Sequence, residues 1–432
     1  MKNRLVRWLA VPAMVIMLSA CSSTGSGTDE SAENGINTNE VTLKVSLTAQ
    51  DMNGLEALAK EYENQNPGIK IKVDRAPDNQ FKQTLGAYLA SKEAPDLFLQ
   101  WPGVSNIGVS INAGYLTDLS DVKPVDNIDK GLLQSFSKDD KVYGIPWSKN
   151  YLGVFYNKDI FEKNGIQIPK NWDEFLEVNE KLKAAGVTPI ALAGKETWAV
   201  QLPWYALAAS TVYAKEEGWD QQRYDNQTTF AGSDSWKQVA GQYKQLLDLG
   251  YFEKNMLGIS YDSAKTSFSA GKAAMIIDGN WSISGYEEIA RKSNIGVGMF
   301  AIPGNQAGEE TWLSSAPSTG LALWSGSEYQ EEAKKFLAYL YADDNNKTLI
   351  GEGQFSTLKT VKAESSDITA DIVDIVQNAP AYPFLDIGWP KGPQEDAFQR
   401  ETQAALGGGS SFEKVLETAD QAWDKGAASL KK

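Results

Sequence analysis

Residues 41–100, VTLKVSLTAQDMNGLEALAKEYENQNPGIKIKVDRAPDNQFKQTLGAYLASKEAPDLFLQ, decide the fold class. Val41, Leu43, Val45 and Leu47 alternate with smaller or polar residues, the two-residue period of a strand. Leu55, Leu58, Ala59 and Tyr62 then recur at helical spacing, and Asn66-Pro67-Gly68 stops the segment. Ile69, Ile71 and Val73 return to the strand period. A second helix is expected over 79–91, and Asp96-Leu97-Phe98-Leu99 suits a buried parallel strand. Strand, helix, strand, helix, strand predicts an α/β fold. Ligands of such sheets sit beyond the carboxyl ends of the strands, which points at Gln50 and Asp51 and at Gln100 and Trp101.

Towards the C-terminus, helices are expected from Trp172 to about Ala185, over 236–249, over 328–342 and over 412–423. In the third of these, Tyr329, Ala333, Phe336, Leu337 and Leu340 form one apolar stripe. Asp343-Asp344-Asn345-Asn346 lacks the Gly and terminal Glu of a calcium loop and reads as a helix C-terminal turn. No repeat, coiled coil or internal membrane span is evident.

Towards the N-terminus, Lys2, Arg4 and Arg7 precede an apolar run from Trp8 to Leu18 that is too short to cross a bilayer. It ends in Leu18-Ser19-Ala20-Cys21, which resembles the bacterial lipobox. That resemblance implies a signal peptide over 1–20 and a Cys21 thiol carrying diacylglycerol and palmitate, more than one acyl chain being needed for stable attachment. Residues 21–40 are too polar to pack and read as a tether. Cys21 is the one cysteine, so no disulfide is expected, and the chain is long enough to build large cores without one.

The chain carries a formal charge of −15 and no histidine. The acidic balance argues against nucleic acid and anionic membrane surfaces as partners. The missing histidine removes Ser-His-Asp and Cys-His catalysis and His-based zinc sites. A carboxylate-pair glycosidase survives as the rival function.

Several further segments, in order, resemble the extracellular solute-binding proteins of carbohydrate ABC importers, the broad maltose-binding-like family. They are Glu61-Tyr62-Glu63-Asn64-Gln65-Asn66-Pro67-Gly68-Ile69, Ala94-Pro95-Asp96-Leu97-Phe98, Gly114-Tyr115-Leu116-Thr117-Asp118-Leu119 and Tyr143-Gly144-Ile145-Pro146-Trp147. Phe155-Tyr156-Asn157-Lys158-Asp159-Ile160-Phe161, Trp172-Asp173-Glu174-Phe175, Phe268-Ser269-Ala270-Gly271-Lys272-Ala273 and Gly279-Asn280-Trp281 follow. The resemblance implies a two-lobe, periplasmic-binding-protein-like fold with a ligand cleft between lobes joined by hinge segments. One lobe would take 41–147 and 302–326, the other 148–301 and 327–432. Crossings would fall near Trp147 to Tyr151, in Gly296 to Pro303, and near Leu323 to Ser327. It also implies a monomer at the extracytoplasmic face of the bacterial membrane, handing a sugar to permease subunits, with no catalysis, cofactor or metal. The same fold binding a peptide, polyamine or organic anion is a third possibility.

A pyranose has an apolar C–H face and an edge of hydroxyls, so its site combines flat aromatic surface with amides and carboxylates. The chain has 13 tryptophans. Trp101 and Trp147 fall at predicted strand ends, Trp198 and Trp281 in loops beyond strands, and Trp389 in the Gly/Pro-bounded loop 386–390. The polar candidates are Gln50, Asp51, Gln100, Asn150, Glu196, Asp278, Asn280 and Asp386. Trp172, Trp236 and Trp423 lie on predicted helices and read as packing. For the anchor, replacing Cys21 with Ala in a bacterial host should release the chain from the membrane fraction. A variant that stays membrane-bound after signal cleavage would disprove lipidation at Cys21.

Overall fold

The computed structural model describes residues 40–430 except Gln50, Asn294 and positions 352–353, 363–371, 374 and 377–378. The signal peptide, Cys21 and the tether up to position 39 lie outside the described residues.

Val41–Thr48 lies between Ile69–Ala76 and Leu97–Gln100, parallel to both, with Val41 opposite Ile69 and Val45 opposite Leu97. The connecting helix Leu55–Gln65 buries Leu55, Leu58, Ala59 and Tyr62, the stripe that its spacing predicts. It ends at Asn66, after which Gly68 takes φ 99°, a left-handed conformation that favours glycine. These crossovers bring the carboxyl ends of the strands to one edge of the sheet. Gly320–Leu323 then pairs antiparallel with Leu97–Gln100, and Ile145–Pro146 pairs with Gly320–Leu323, completing five strands.

A second sheet forms around the ten-residue strand Ser148–Asn157, which pairs antiparallel with Ala273–Gly279, Val297–Phe300, Leu313–Pro317 and Phe355–Ser356. Thr188–Ala191 extends it in parallel beyond Ala273–Gly279. Both faces of this strand are covered. Leu152 and Val154 point into one buried cluster, while Tyr151 and Phe155 point into another.

The chain passes between the sheets directly after Pro146, and again between Pro317 and Gly320. The two crossings lie side by side. Ser148 N–H donates to Ser318 Oγ (3.0 Å), and Ser318 N–H donates to the Ser148 carbonyl (2.8 Å). A third link runs through Phe355–Ser356, which pairs with Ser148 and Lys149, while the following Leu358 returns to the first core. This connectivity differs from the division expected from the sequence. Residues 296–303 are no crossing, because Val297–Phe300 and Leu313–Pro317 both belong to the second sheet. Residues 323–327 are no crossing either. The helix Gln330–Leu340 seats Ala333, Phe336, Leu337 and Leu340 in the first core, with Phe336 5.0 Å from the Tyr62 ring. Asp343–Asn346 begins the next helix, Asp343–Ile350, rather than ending one, so its acidic residues favour the positive end of the helix dipole.

One loop of the second lobe, 384–389, is fastened from behind. Asp220 accepts from Tyr213 Oη (2.7 Å), Trp389 Nε1 (3.1 Å) and Tyr382 Oη (3.4 Å), and Tyr213 stacks on Tyr382 with centroids 3.7 Å apart. Burial pushes the Asp220 carboxyl up to about 6, against the pull of these donors. Because the folded value lies above the unfolded one, this group's stabilising contribution is complete below about pH 4 and is lost as the pH rises through 6. Asp220→Asn has no such titration. Its stability relative to the parent, followed by urea unfolding, should therefore improve by roughly 2–3 kcal/mol between pH 4 and pH 7. A pH-independent difference would show that Asp220 titrates normally.

Candidate ligand-binding cleft

A cleft enclosing about 220 Å³, more than ten times the space that one water requires, opens between the two sheets at the crossings. Its walls come from both lobes. Asp51, Trp101 and Trp147 face it from the first, and Asn150, Trp198, Trp281 and Asp386 from the second. These are seven of the side chains expected from the sequence.

Each is held by local structure. Asp51 follows the first strand, and its carboxylate accepts from Thr48 Oγ1 and from Thr319 Oγ1 (3.2 Å). Trp147 Nε1 donates to the same Thr319 hydroxyl (3.1 Å), so one threonine at the crossing orients both a carboxylate and an indole. Trp101 follows the third strand. Phe81 packs edge-on to it at 5.8 Å, and Lys82 Nζ stands 4.2 Å from its ring centroid. Trp281 closes the Gly279-Asn280-Trp281 motif, in which each residue has a separate task. A Cβ at Gly279 would lie 2.1 Å from the Trp281 ring, so only glycine lets the indole fold against the backbone. Asn280 accepts from Tyr151 N–H (2.6 Å) and donates to the Lys149 carbonyl (2.9 Å) and Gln354 Oε1 (3.1 Å).

Asn280 is thus fully buried and fastens the turn rather than facing the cleft. Four other expected residues are likewise absent from the lining. Gln100 is buried and accepts from Ser110 Oγ (3.5 Å). Glu196 accepts from Tyr261 N–H (2.9 Å), satisfying an amide at the start of the helix Tyr261–Ser269. Asp278 is fully buried inside its strand, and Trp389 packs in the core, donating to Asp220. Gln50 lies outside the described residues.

The cleft also holds groups that the sequence did not single out, among them Lys82, Gln201, Tyr205, Phe384, Gln394 and Gln399. Gln399 Nε2 donates to Gln201 Oε1 (3.0 Å). The Tyr205 hydroxyl is buried beside Asp386 and Gln394 and makes no hydrogen bond of normal geometry. Burial raises the Asp386 carboxyl above its ordinary range, while the neighbouring Tyr205 hydroxyl and Lys82, which reaches it from the opposite lobe, pull it down. The lobes also touch through their backbones. Val104 N–H donates to the Ile387 carbonyl (3.2 Å), and a Cβ at Gly103 would meet that same oxygen at 2.6 Å. Among the described residues no group of three or more Asp, Glu, His or Cys side chains is placed to hold a metal, and no helix is long and apolar enough to cross a membrane.

Comparison with known proteins agrees with this geometry. The family model described as bacterial extracellular solute-binding protein matches residues 46–347. The multiple sugar-binding protein of Streptococcus mutans is 27% identical over 328 residues, covering 75% of each chain. The melibiose/raffinose/stachyose-binding protein MelE of Bacillus subtilis is 24% identical over 401 residues, covering 89% of this chain and 88% of its own. Among solved structures, a chitin oligosaccharide binding protein superimposes with a TM-score of 0.80 at 26% identity, covering 90% of this chain and all of the other. The two sheets are therefore the two lobes of that fold, and the chain belongs to the family of bacterial extracellular solute-binding proteins.

Proposed function

We propose that this protein captures a neutral oligosaccharide between its lobes and delivers it, chemically unchanged, to the permease subunits of an ABC importer. A lipid on Cys21 would hold it at the outer face of the membrane. The observation that carries the proposal is the placement of four indoles on opposite walls of one cleft, Trp101 and Trp147 against Trp198 and Trp281. Flat aromatic faces suit the C–H faces of sugar rings. The surrounding amides, Asn53, Asn106, Asn150, Gln201, Gln394 and Gln399, donate and accept in one plane, as vicinal hydroxyls require. Among the described residues Lys82 is the one cationic lining side chain and Asp51 and Asp386 the two anionic ones, which favours an uncharged ligand over an organic anion. The sugars in the relatives' names point the same way.

Raffinose, stachyose and a chitin oligosaccharide form the test panel. Calorimetry should show saturable binding of at least one of them, and chromatography should recover it intact after prolonged incubation. Catalytic release of shorter sugars would instead make Asp51 and Asp386 an acid–base pair and overturn the binding-only function. Trp281→Ala and Trp198→Ala should each weaken binding by roughly 2 kcal/mol or more, about thirtyfold, with the unliganded melting temperature nearly unchanged. Undiminished affinity with a large fall in melting temperature would make these indoles core residues.

A further inference from the structure

Tyr261 lies behind the cleft wall and is absent from the lining, yet the residues around it are those that the sequence singled out. Its hydroxyl donates to the buried Asp278 carboxylate, with Oδ1 at 2.7 Å and Oδ2 at 2.8 Å, and accepts from Trp281 Nε1 at 3.0 Å. Its ring meets the Trp198 ring edge-on, centroids 4.7 Å apart. Its backbone N–H is held by Glu196 (2.9 Å). Asp278 is itself fixed by Tyr286 Oη (2.7 Å) and the Gly279 amide (2.8 Å). From these contacts we propose that Tyr261 is a positioning residue for ligand capture, setting the orientation of both Trp198 and Trp281 from behind without touching the ligand.

The polarity of the hydrogen bonds explains how. Indole N–H can only donate and carboxylate oxygen can only accept, so a phenol between them must accept from Trp281 and donate to Asp278. The Ser282 hydroxyl also meets the Tyr261 oxygen, at 2.6 Å, and can donate or accept there, so the bond of fixed direction that bears on the cleft is the one from the Trp281 indole to the phenol. An aromatic side chain free to rotate loses that freedom when a ligand stacks on it. One already held presents its face beforehand and binds more tightly for it. The proposal rests on the cleft being the ligand site, and its test separates the two.

Fluorotryptophan-labelled protein gives a readout that needs no ligand, with the Trp198 and Trp281 fluorine signals assigned through Trp→Phe variants. In Tyr261→Phe, which keeps the ring and removes the hydroxyl, the Trp281 signal should move while those of Trp236 and Trp423 stay in place. An unmoved Trp281 signal overturns the proposal. If Tyr261→Phe does not fold, Asp278→Asn replaces it. That change leaves both rings in place and alters only the acceptor, so it must shift the Trp281 signal on its own. Binding is then measured with the three panel sugars. Tyr261→Phe should weaken the binding of those that bind by about tenfold, but by less than about twofold in a Trp281→Ala background. A full loss in that background would mean direct ligand contact and overturns the proposal. Failure of the unaltered protein to bind any panel sugar would count against the sugar-binding function alone, because the fluorine result stands without a ligand.

Discussion

Ser148 and Ser318 grip each other where the chain crosses from one sheet to the other, and the cleft is laid out around that grip. Both residues are buried, and each backbone amide bonds to the other residue. Trp147 and Thr319 are their immediate neighbours in sequence, and Asn150 and Pro317 lie one or two positions away, so the crossing strands also supply part of the cleft lining. A rotation of one lobe against the other about such a pair would carry Trp101 relative to Trp198 and Trp281 while Ser148 and Ser318 stay together. Thr319 shows the economy of this arrangement, joining the Trp147 indole to the Asp51 carboxylate across the crossing.

The tryptophans divide between the cores and the cleft. Trp204, Trp219, Trp236 and Trp423 lie on helices, Trp389 on an anchored loop, and all five are fully buried. Trp101 and Trp147 follow strand ends, whereas Trp198 lies on the short helix Thr197–Val200 and Trp281 on the single turn Asn280–Ser282 rather than in loops, and all four face the cleft. Position past a strand end does not by itself make a cleft residue, since Trp324 directly follows Gly320–Leu323 and packs on the first core. Glu196 and Asp278, charged and close to two of these indoles, serve as their supports instead.

The α/β class, the first three strands and the main helices were legible in the sequence because they follow from short-range periodicity. The assignment of segments to lobes was not, because it depends on pairings such as Leu313–Pro317 with Ser148–Asn157, which no local pattern encodes. Asp51, Trp101, Trp147, Trp198 and Trp281 were legible from the strand-end rule and the indole count, and Asn150 and Asp386 only as polar candidates. Tyr205 was hidden in Leu202–Ala208, where every residue is buried and periodicity assigns no face. Gln394 and Gln399 were hidden by geometry. Five residues apart, they would stand roughly 140° from each other on an α-helix. They lie on Pro393–Glu401, a π-helix whose wider turn brings such positions towards one side. Asp278 was misplaced by one structural detail, since the strand continues through Gly279 and keeps the carboxylate inside the sheet.

The contact between Val104 N–H and the Ile387 carbonyl joins the lobes through peptide groups alone. Such a bond survives nearly every substitution at either position, proline at 104 excepted, because neither donor nor acceptor belongs to a side chain. Gly103 is what must be retained, since any Cβ there would strike the Ile387 backbone. Exchanging the side chains of the lining therefore leaves this contact between the lobes in place.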